Sequence, residues 1–295
     1  MENNPRKVKT VFAVILAVIF FSIFLKIDSI FSVANTLASK SWPLLSILLV
    51  MVLIRMIFAA MVVLIVLSLI LGFKNWRGWL PDYLRIDMKI VFLGILSFGV
   101  FCALATVISL GIGIFKGDLS AVFAFPDIRP DPDVIGWGYF WLALVPGIWE
   151  ELAFRGLIQS KFRTTFSITA SILLSSLFFG LYHLSNLVTQ SPSQAIPGVI
   201  MAFFFGIAWG YMTVKARSVV PAMISHYLVD SMGQIFLGVN STDPALTTGF
   251  FLLLTLLFPV FNIVLTKMMF LGSKSRPGLQ QNQVTIENFQ KEISR

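Results

Sequence analysis

Glu150 and Glu151 stand side by side in one apolar stretch, and the only two histidines of the chain, His183 and His226, each lie in another. An ionisable group in bilayer hydrocarbon costs at least ~2.5 kcal/mol on insertion scales, so each is a candidate for function by default. Carboxyls and imidazoles together can activate a water and steady a developing negative charge, which is hydrolytic chemistry inside a membrane. Glu151 and Arg155 are four apart on one helical face, with the acid ahead of the base, the better order for an ion pair. Glu150 is rotated from Glu151 by about 100° and is left free to face elsewhere. Such a pair can also be a purely structural tie between helices. The second carboxylate argues for more, because one arginine neutralises two adjacent acids poorly and a desolvated carboxyl can act as a general base near neutral pH.

His183 closes the run Phe179, Gly180, Leu181, Tyr182, His183, with Phe179 one turn back on the same face. His226 is followed four positions later by Asp230, an acid placed to orient the imidazole or to hydrogen-bond beside it. Taken alone, a histidine at 183 is more often a hydrogen-bonded core residue, and a His–Asp pair like that of His226 and Asp230 is common.

The elements that must position these groups are membrane helices. The chain is 57% hydrophobic and 12% charged, with a mean hydropathy of +0.87, whereas about 25% of residues are charged in a soluble domain. The expected fold is all-α, a polytopic helical bundle. A bilayer core of about 30 Å takes roughly 20 apolar residues per helix, and eight runs qualify, near 11–26, 43–72, 90–115, 136–160, 166–187, 195–214, 218–238 and 247–270. The second is long and holds Arg55, which points to one tilted or bent helix rather than two short ones. Ser32, Val33 and Ala34 after the first run imitate a signal-peptide cleavage site, but the charge pattern closes with that run retained as a helix. One transmembrane domain is expected over 1–271, with its motif-bearing core at 136–238, followed by a polar cytoplasmic tail at 272–295. The segment from Lys116 to Asp133, with Pro126, Pro130 and Pro132, reads as the longest outer loop.

The formal charge of +8 is spread over short segments between apolar runs rather than gathered in one patch, which argues against a nucleic-acid partner. With the N-terminus inside, the inner segments carry Arg6, Lys7 and Lys9; Lys74, Arg77, Arg85 and Lys89; Lys161 and Arg163; Lys215 and Arg217; Lys267, Lys274, Arg276, Lys291 and Arg295. The outer segments hold only Lys26, Lys40, Lys116 and Arg129. This obeys the positive-inside rule at every inner loop and places both termini in the cytoplasm. Cys102 is the only cysteine, so neither an intrachain disulfide nor a cysteine-rich metal site can form. At 1.5 Å per residue from a turn at Phe162 to Thr165, Glu150 and His183 differ in level by roughly 8 Å, which tilt can absorb, and His226 lies roughly 15 Å below the turn near Ala216.

Taken in order, Glu150, Glu151 and Arg155 form a Glu-Glu-x-x-x-Arg motif, Phe179 and His183 a Phe-x-x-x-His motif, and His226 and Asp230 a His-x-x-x-Asn/Asp motif, on successive helices. The set resembles the CAAX protease and bacteriocin-processing family of intramembrane glutamic endopeptidases, which includes the Ras-converting prenyl-protein endopeptidases. The resemblance covers Glu150 to Asp230; the first three helices and the tail are matched only by hydropathy. It implies that Glu150 and His183 activate a water, that His226 with Asp230 polarises the scissile carbonyl, and that Glu151, Arg155 and Phe179 support them. It also implies a membrane-associated protein or peptide substrate, membrane lipid as surroundings, and no cofactor. Asp230 departs from the prenyl-protease form, which carries Asn there, and this puts prenylated substrates in doubt. An ionised Asp cannot donate to an oxyanion, so Asp230 is either protonated or an orienting anion for His226.

Three other readings stand beside this one. Two histidines and a glutamate also make a plausible catalytic zinc set, although no His-Glu-x-x-His helix is present. A non-catalytic scaffold or bacteriocin-immunity protein would leave the ionisable groups unexplained. A transporter would use Arg55, Glu150 and Asp230 as an ion relay, without a repeat to support it. Gly206 and Gly210 have the spacing of internal helix packing, and Asn240, Ser241 and Thr242 form an acceptor-like triplet on the outer side.

Overall fold

Hydrocarbon offers no partner to backbone N–H and C=O groups, so long apolar runs satisfy them within the segment, as helices. The computed structural model describes residues 5–31, 44–73, 80–81, 83–117, 140–188, 190–236 and 244–271. Eight long helices and no strand occur among them. They are α1 (Pro5–Phe31), α2 (44–70), α3 (Met88–Lys116), α4 (140–163), α5 (168–188), α6 (Pro192–Ala216), α7 (Val220–Phe236) and α8 (Pro244–Phe270). The long second run is one helix, as expected, passing through a π-helical turn at Val62–Leu67. α5 tightens into a 3-10 stretch at His183–Val188.

Among the described residues, five stretches are long and apolar enough to cross a membrane: Leu49–Ile70, Met88–Lys116, Ile168–Val188, Ala195–Ala216 and Thr248–Phe270. The remaining three helices are α1, with charged residues toward both ends, α4, with its acids and arginine in mid-helix, and α7, only 17 residues long. α1 packs into the bundle, with Val14, Ala17 and Phe21 fully buried in the core.

Local chemistry sets the helix ends. Asp87 accepts from Ile90 N at 2.9 Å to start α3, Ser167 accepts from Ala170 N to start α5, and Ser218 Oγ accepts from Val220 N to start α7. Gly117 closes α3 at φ +69, a left-handed conformation that a side chain would strain. The aromatic core joins α3, α6 and α8, where Phe205 stacks on Phe258 at 4.1 Å between centroids and Phe101 meets both edge-on.

The basic segments gather at one end. Thr10 bonds Thr165, and Lys7 lies over the Phe166 ring. The Tyr83 hydroxyl donates to Ser160, Arg85 donates to Ala216 O, and Lys89 sits 4.4 Å over the ring of Phe270. Half-buried Lys161 is held below the usual lysine range by burial first and by the neighbouring positive Arg6 second. Residues 118–133 of the expected outer loop, the Ser32–Ala34 triplet, the Asn240–Thr242 triplet and the tail at 272–295 lie outside the described residues.

This clustering generates a labelling pattern. In a Cys102→Ser background, cysteines replacing exposed Lys7, Arg163 and Lys267 are expected to react with an impermeant maleimide from one side of the membrane, and one replacing Lys116 only from the other. Labelling of positions 7 and 267 from opposite sides would refute the arrangement.

Candidate active site

α4 is built irregularly where the acids sit. Pro146 lacks the N–H for a helical bond and its ring crowds the carbonyl four residues back. The helix widens from there into π-helical stretches, Pro146–Glu150 and Leu152–Ile158, a geometry often found at functional sites. Gly147 lets α7 come close: a Cβ on it would lie 2.9 Å from the Cβ of Tyr227 and 3.0 Å from its Cα. The backbone beside His226 therefore abuts the helix turn that carries Glu150.

Glu151 is the hub. Its Oε1 accepts from Arg155 Nη1 and from His226 Nδ1, each at 2.8 Å. The carboxylate is fully buried and the guanidinium nearly so. Arg155 lies with its guanidinium carbon 4.0 Å over the Phe179 ring and 5.4 Å from Trp209. The Phe of the Phe-x-x-x-His motif is thus the floor under the arginine. Gly206 leaves room for this, since a Cβ there would sit 3.1 Å from Arg155 Nη2, and Gly210 does the same for Gln159. The small-residue spacing on α6 serves packing inside the bundle.

A carboxylate paired with arginine only accepts, so His226 Nδ1 carries a proton and donates it to Glu151. His226 Nε2 lies 3.3 Å from Asp230 Oδ2. The orienting acid at Nδ1 is therefore Glu151, from a helix 75 residues away in sequence, while Asp230 meets the nitrogen that faces the open part of the site. Asp230 has 37% of its side chain exposed.

Glu150 is separated from this pairing, as the helical rotation predicts. Tyr182 Oη donates to its Oε1 at 3.2 Å, and buried Oε2 has no hydrogen-bond partner among the described residues. His183, His226 and Asp230 lie within Coulombic reach of the carboxylate. His183 Nδ1 is 2.9 Å from Phe179 O. A carbonyl only accepts, so Nδ1 carries a proton, and the tautomer this bond selects has its lone pair at Nε2. The half-buried imidazole is packed edge-on against Phe179 and Tyr182. Contact between Glu150 and Tyr182, the residue before His183, shows that the bundle has absorbed the difference in level.

All the expected site residues, Glu150, Glu151, Arg155, Phe179, His183, His226 and Asp230, thus belong to one neighbourhood. Arg55 sits on α2 beside Met56, whose sulfur accepts from Trp149 Nε1 at 3.2 Å. Sequence reasoning missed the roles of Tyr182 and Trp209. Each had a signal, since a buried phenol or indole needs a partner for its O–H or N–H. Among the described residues no group of three or more His, Cys, Asp and Glu is arranged to hold a metal ion.

Residues 132–232 match the Rce1-like family, described as Type II CAAX prenyl endopeptidase Rce1-like. Over these residues the chain is similar to the CAAX protease family. The matched stretch begins ahead of α4 and ends within α7, so it spans every contact described between Glu150 and Asp230. With five apolar helices, it marks an integral membrane protein. No curated protein and no solved structure matches the chain.

Removing Arg155 leaves Glu151 buried beside only an imidazole. Arg155→Ala is expected to destabilise the folded protein by about 3–5 kcal/mol, read as a lower melting temperature in detergent. A melting temperature equal to wild type would show that the pair does not hold the bundle.

Proposed function

We propose that the chain is an intramembrane glutamic endopeptidase that hydrolyses a peptide bond near the C-terminus of a membrane-associated protein or peptide of CAAX type, prenylated or not. The carrying observation is the division between two adjacent acids. Each acid has a buried Oε2 without a hydrogen-bond partner among the described residues, but Glu151 takes two cationic-type donors, Arg155 and His226, on Oε1, whereas Glu150 takes only the Tyr182 phenol and lies within Coulombic reach of His183, an imidazole whose Nε2 is not used in the bond to Phe179 O.

In this reading a water lies between Glu150 Oε2 and His183 Nε2, and loses its proton to them as it attacks the scissile carbonyl. The carbonyl oxygen becomes an oxyanion and takes the hydrogen bond of His226 Nε2, whose one N–H turns to it from Asp230 Oδ2. That donor exists only in the imidazolium, which the two acids at the opposite nitrogens favour. Donors aimed at an oxyanion in a water-poor site are worth several kcal/mol. The proton held by Glu150 and His183 then passes to the leaving amine as the carbon–nitrogen bond breaks. The scheme uses protein groups alone. Asp230 acts as the anion beside His226, a role its partial exposure suits. By the positive-inside rule the basic end and both termini face the cytoplasm.

Glu150→Gln keeps an acceptor for Tyr182 but loses the base. Its turnover on farnesylated and unprenylated C-terminal peptides should fall about 10²–10⁴-fold with the melting temperature retained; undiminished turnover would reject Glu150 as the base, and absence of turnover in the wild-type protein would leave a scaffold. Asp230→Asn separates the two roles of that acid. As an anion supporting the imidazolium, its loss should lower kcat across pH 5 to 9, whereas retained or raised activity would make it a neutral donor.

A further inference from the structure

Protein meets the His226 ring on four sides. Glu151 bonds Nδ1, Asp230 bonds Nε2, Phe179 stands edge-on at 6.0 Å, and Trp209 lies face to face at 4.4 Å with the planes 21° apart. Hydrogen bonds at the two nitrogens fix a line through the ring but let it rock about that line. Only a contact on the face removes that freedom, and Trp209 supplies it.

Trp209 is itself held. Its Nε1 donates to Ser225 Oγ at 3.0 Å, and Ser225 Oγ lies 2.7 Å from Ser97 Oγ on α3. Both serines are fully buried and the indole nearly so. The hydroxyl pair gives the indole N–H the acceptor it needs and anchors the ring to a helix outside the family-matched residues 132–232. Aromatic faces attract cations, and stacking on indole is the strongest such case.

We propose that Trp209, held from α3 through Ser225 and Ser97, is a positioning residue for His226, setting the plane of its ring and favouring its cationic form. Its use in turnover rests on the reading that His226 polarises the scissile carbonyl. The charged and titratable groups around His226 are Glu150, Glu151 and Arg155 from α4, Tyr182 and His183 from α5, and Asp230 from its own helix. At this level α6 presents Trp209 and α3 presents Ser97, both uncharged.

The chain has only two histidines, so its imidazoles can be followed separately by NMR of full-length protein labelled with ¹⁵N-histidine, using His183→Gln for assignment. Trp209→Leu is expected to lower the titration midpoint of His226 by about one pH unit and to leave that of His183 in place. Trp209→Phe, which keeps a ring, and Ser97→Ala, which keeps the indole but cuts its anchor, should move it the same way by about half as much or less. A merely structural role would lower the melting temperature and leave the midpoint unmoved, and that result, or equal movement of both histidines, would overturn the proposal. Should Trp209→Leu not fold, the conservative Ser97→Ala decides by the presence or absence of a shift at His226 alone. Turnover of His226→Gln on the peptides above tests the endopeptidase reading separately. Wild-type rates there would remove His226 from catalysis, whereas the NMR shift alone decides whether Trp209 controls the ring.

Discussion

A carboxylate sealed from water must find its donors within the fold, and Glu151 imposes that requirement on four helices. It takes one hydrogen bond from Arg155 on its own helix and one from His226 on α7. Arg155 then needs a surface of its own, which Phe179 on α5 and Trp209 on α6 provide. Gly206 on α6 must stay small so that the guanidinium fits. A buried ion pair seldom adds net stability over an apolar isostere, but removing one partner is severe. What it supplies here is registration, since the bond from Glu151 to His226 forms at only one relative depth of α4 and α7.

That registration divides two neighbouring acids into different kinds of group. The residue at position 151 is tied to a guanidinium and an imidazole through one oxygen, and the residue at 150 is held only by a phenol, with its other oxygen unpartnered and His183 within Coulombic reach. The π-helical widening after Pro146 and the absence of a side chain at Gly147 are what bring this part of α4 against Tyr227 and hence against His226. The same features would be faults in a helix whose task was only to span.

Much of this was legible in the sequence where the signal was periodic. Hydropathy located all eight helices, and four-residue spacing anticipated both the Glu151–Arg155 pair and the approach of Asp230 to His226. Among the described residues, Lys7, Arg85 and Lys89 of three inner segments meet residues near other helix ends, through contacts such as Arg85 to Ala216 that no hydropathy plot contains. The failures were contacts between distant helices. Nothing in local spacing says that His226 Nδ1 will turn to Glu151 rather than to its own helix neighbour, that Tyr182 will reach Glu150, or that Ser97 will complete a chain ending at Trp209. The widening of α4 was signalled by Pro146 and Gly147, but proline and glycine mark a departure from regular helix without stating which one.

The placement of Arg155 four residues after Glu151 also bears on how the protein is made. Membrane helices enter the bilayer in order of synthesis, and an unaccompanied charge resists entry by a few kcal/mol. α4 brings its own counter-ion on the same face, so the segment can partition as a neutral pair long before His226 has left the ribosome. The second donor arrives later and converts a pair that permits insertion into a three-way contact that fixes the site. Insertion and assembly of the site would then draw on the same carboxylate at different times, with Arg155 serving the first and His226 the second.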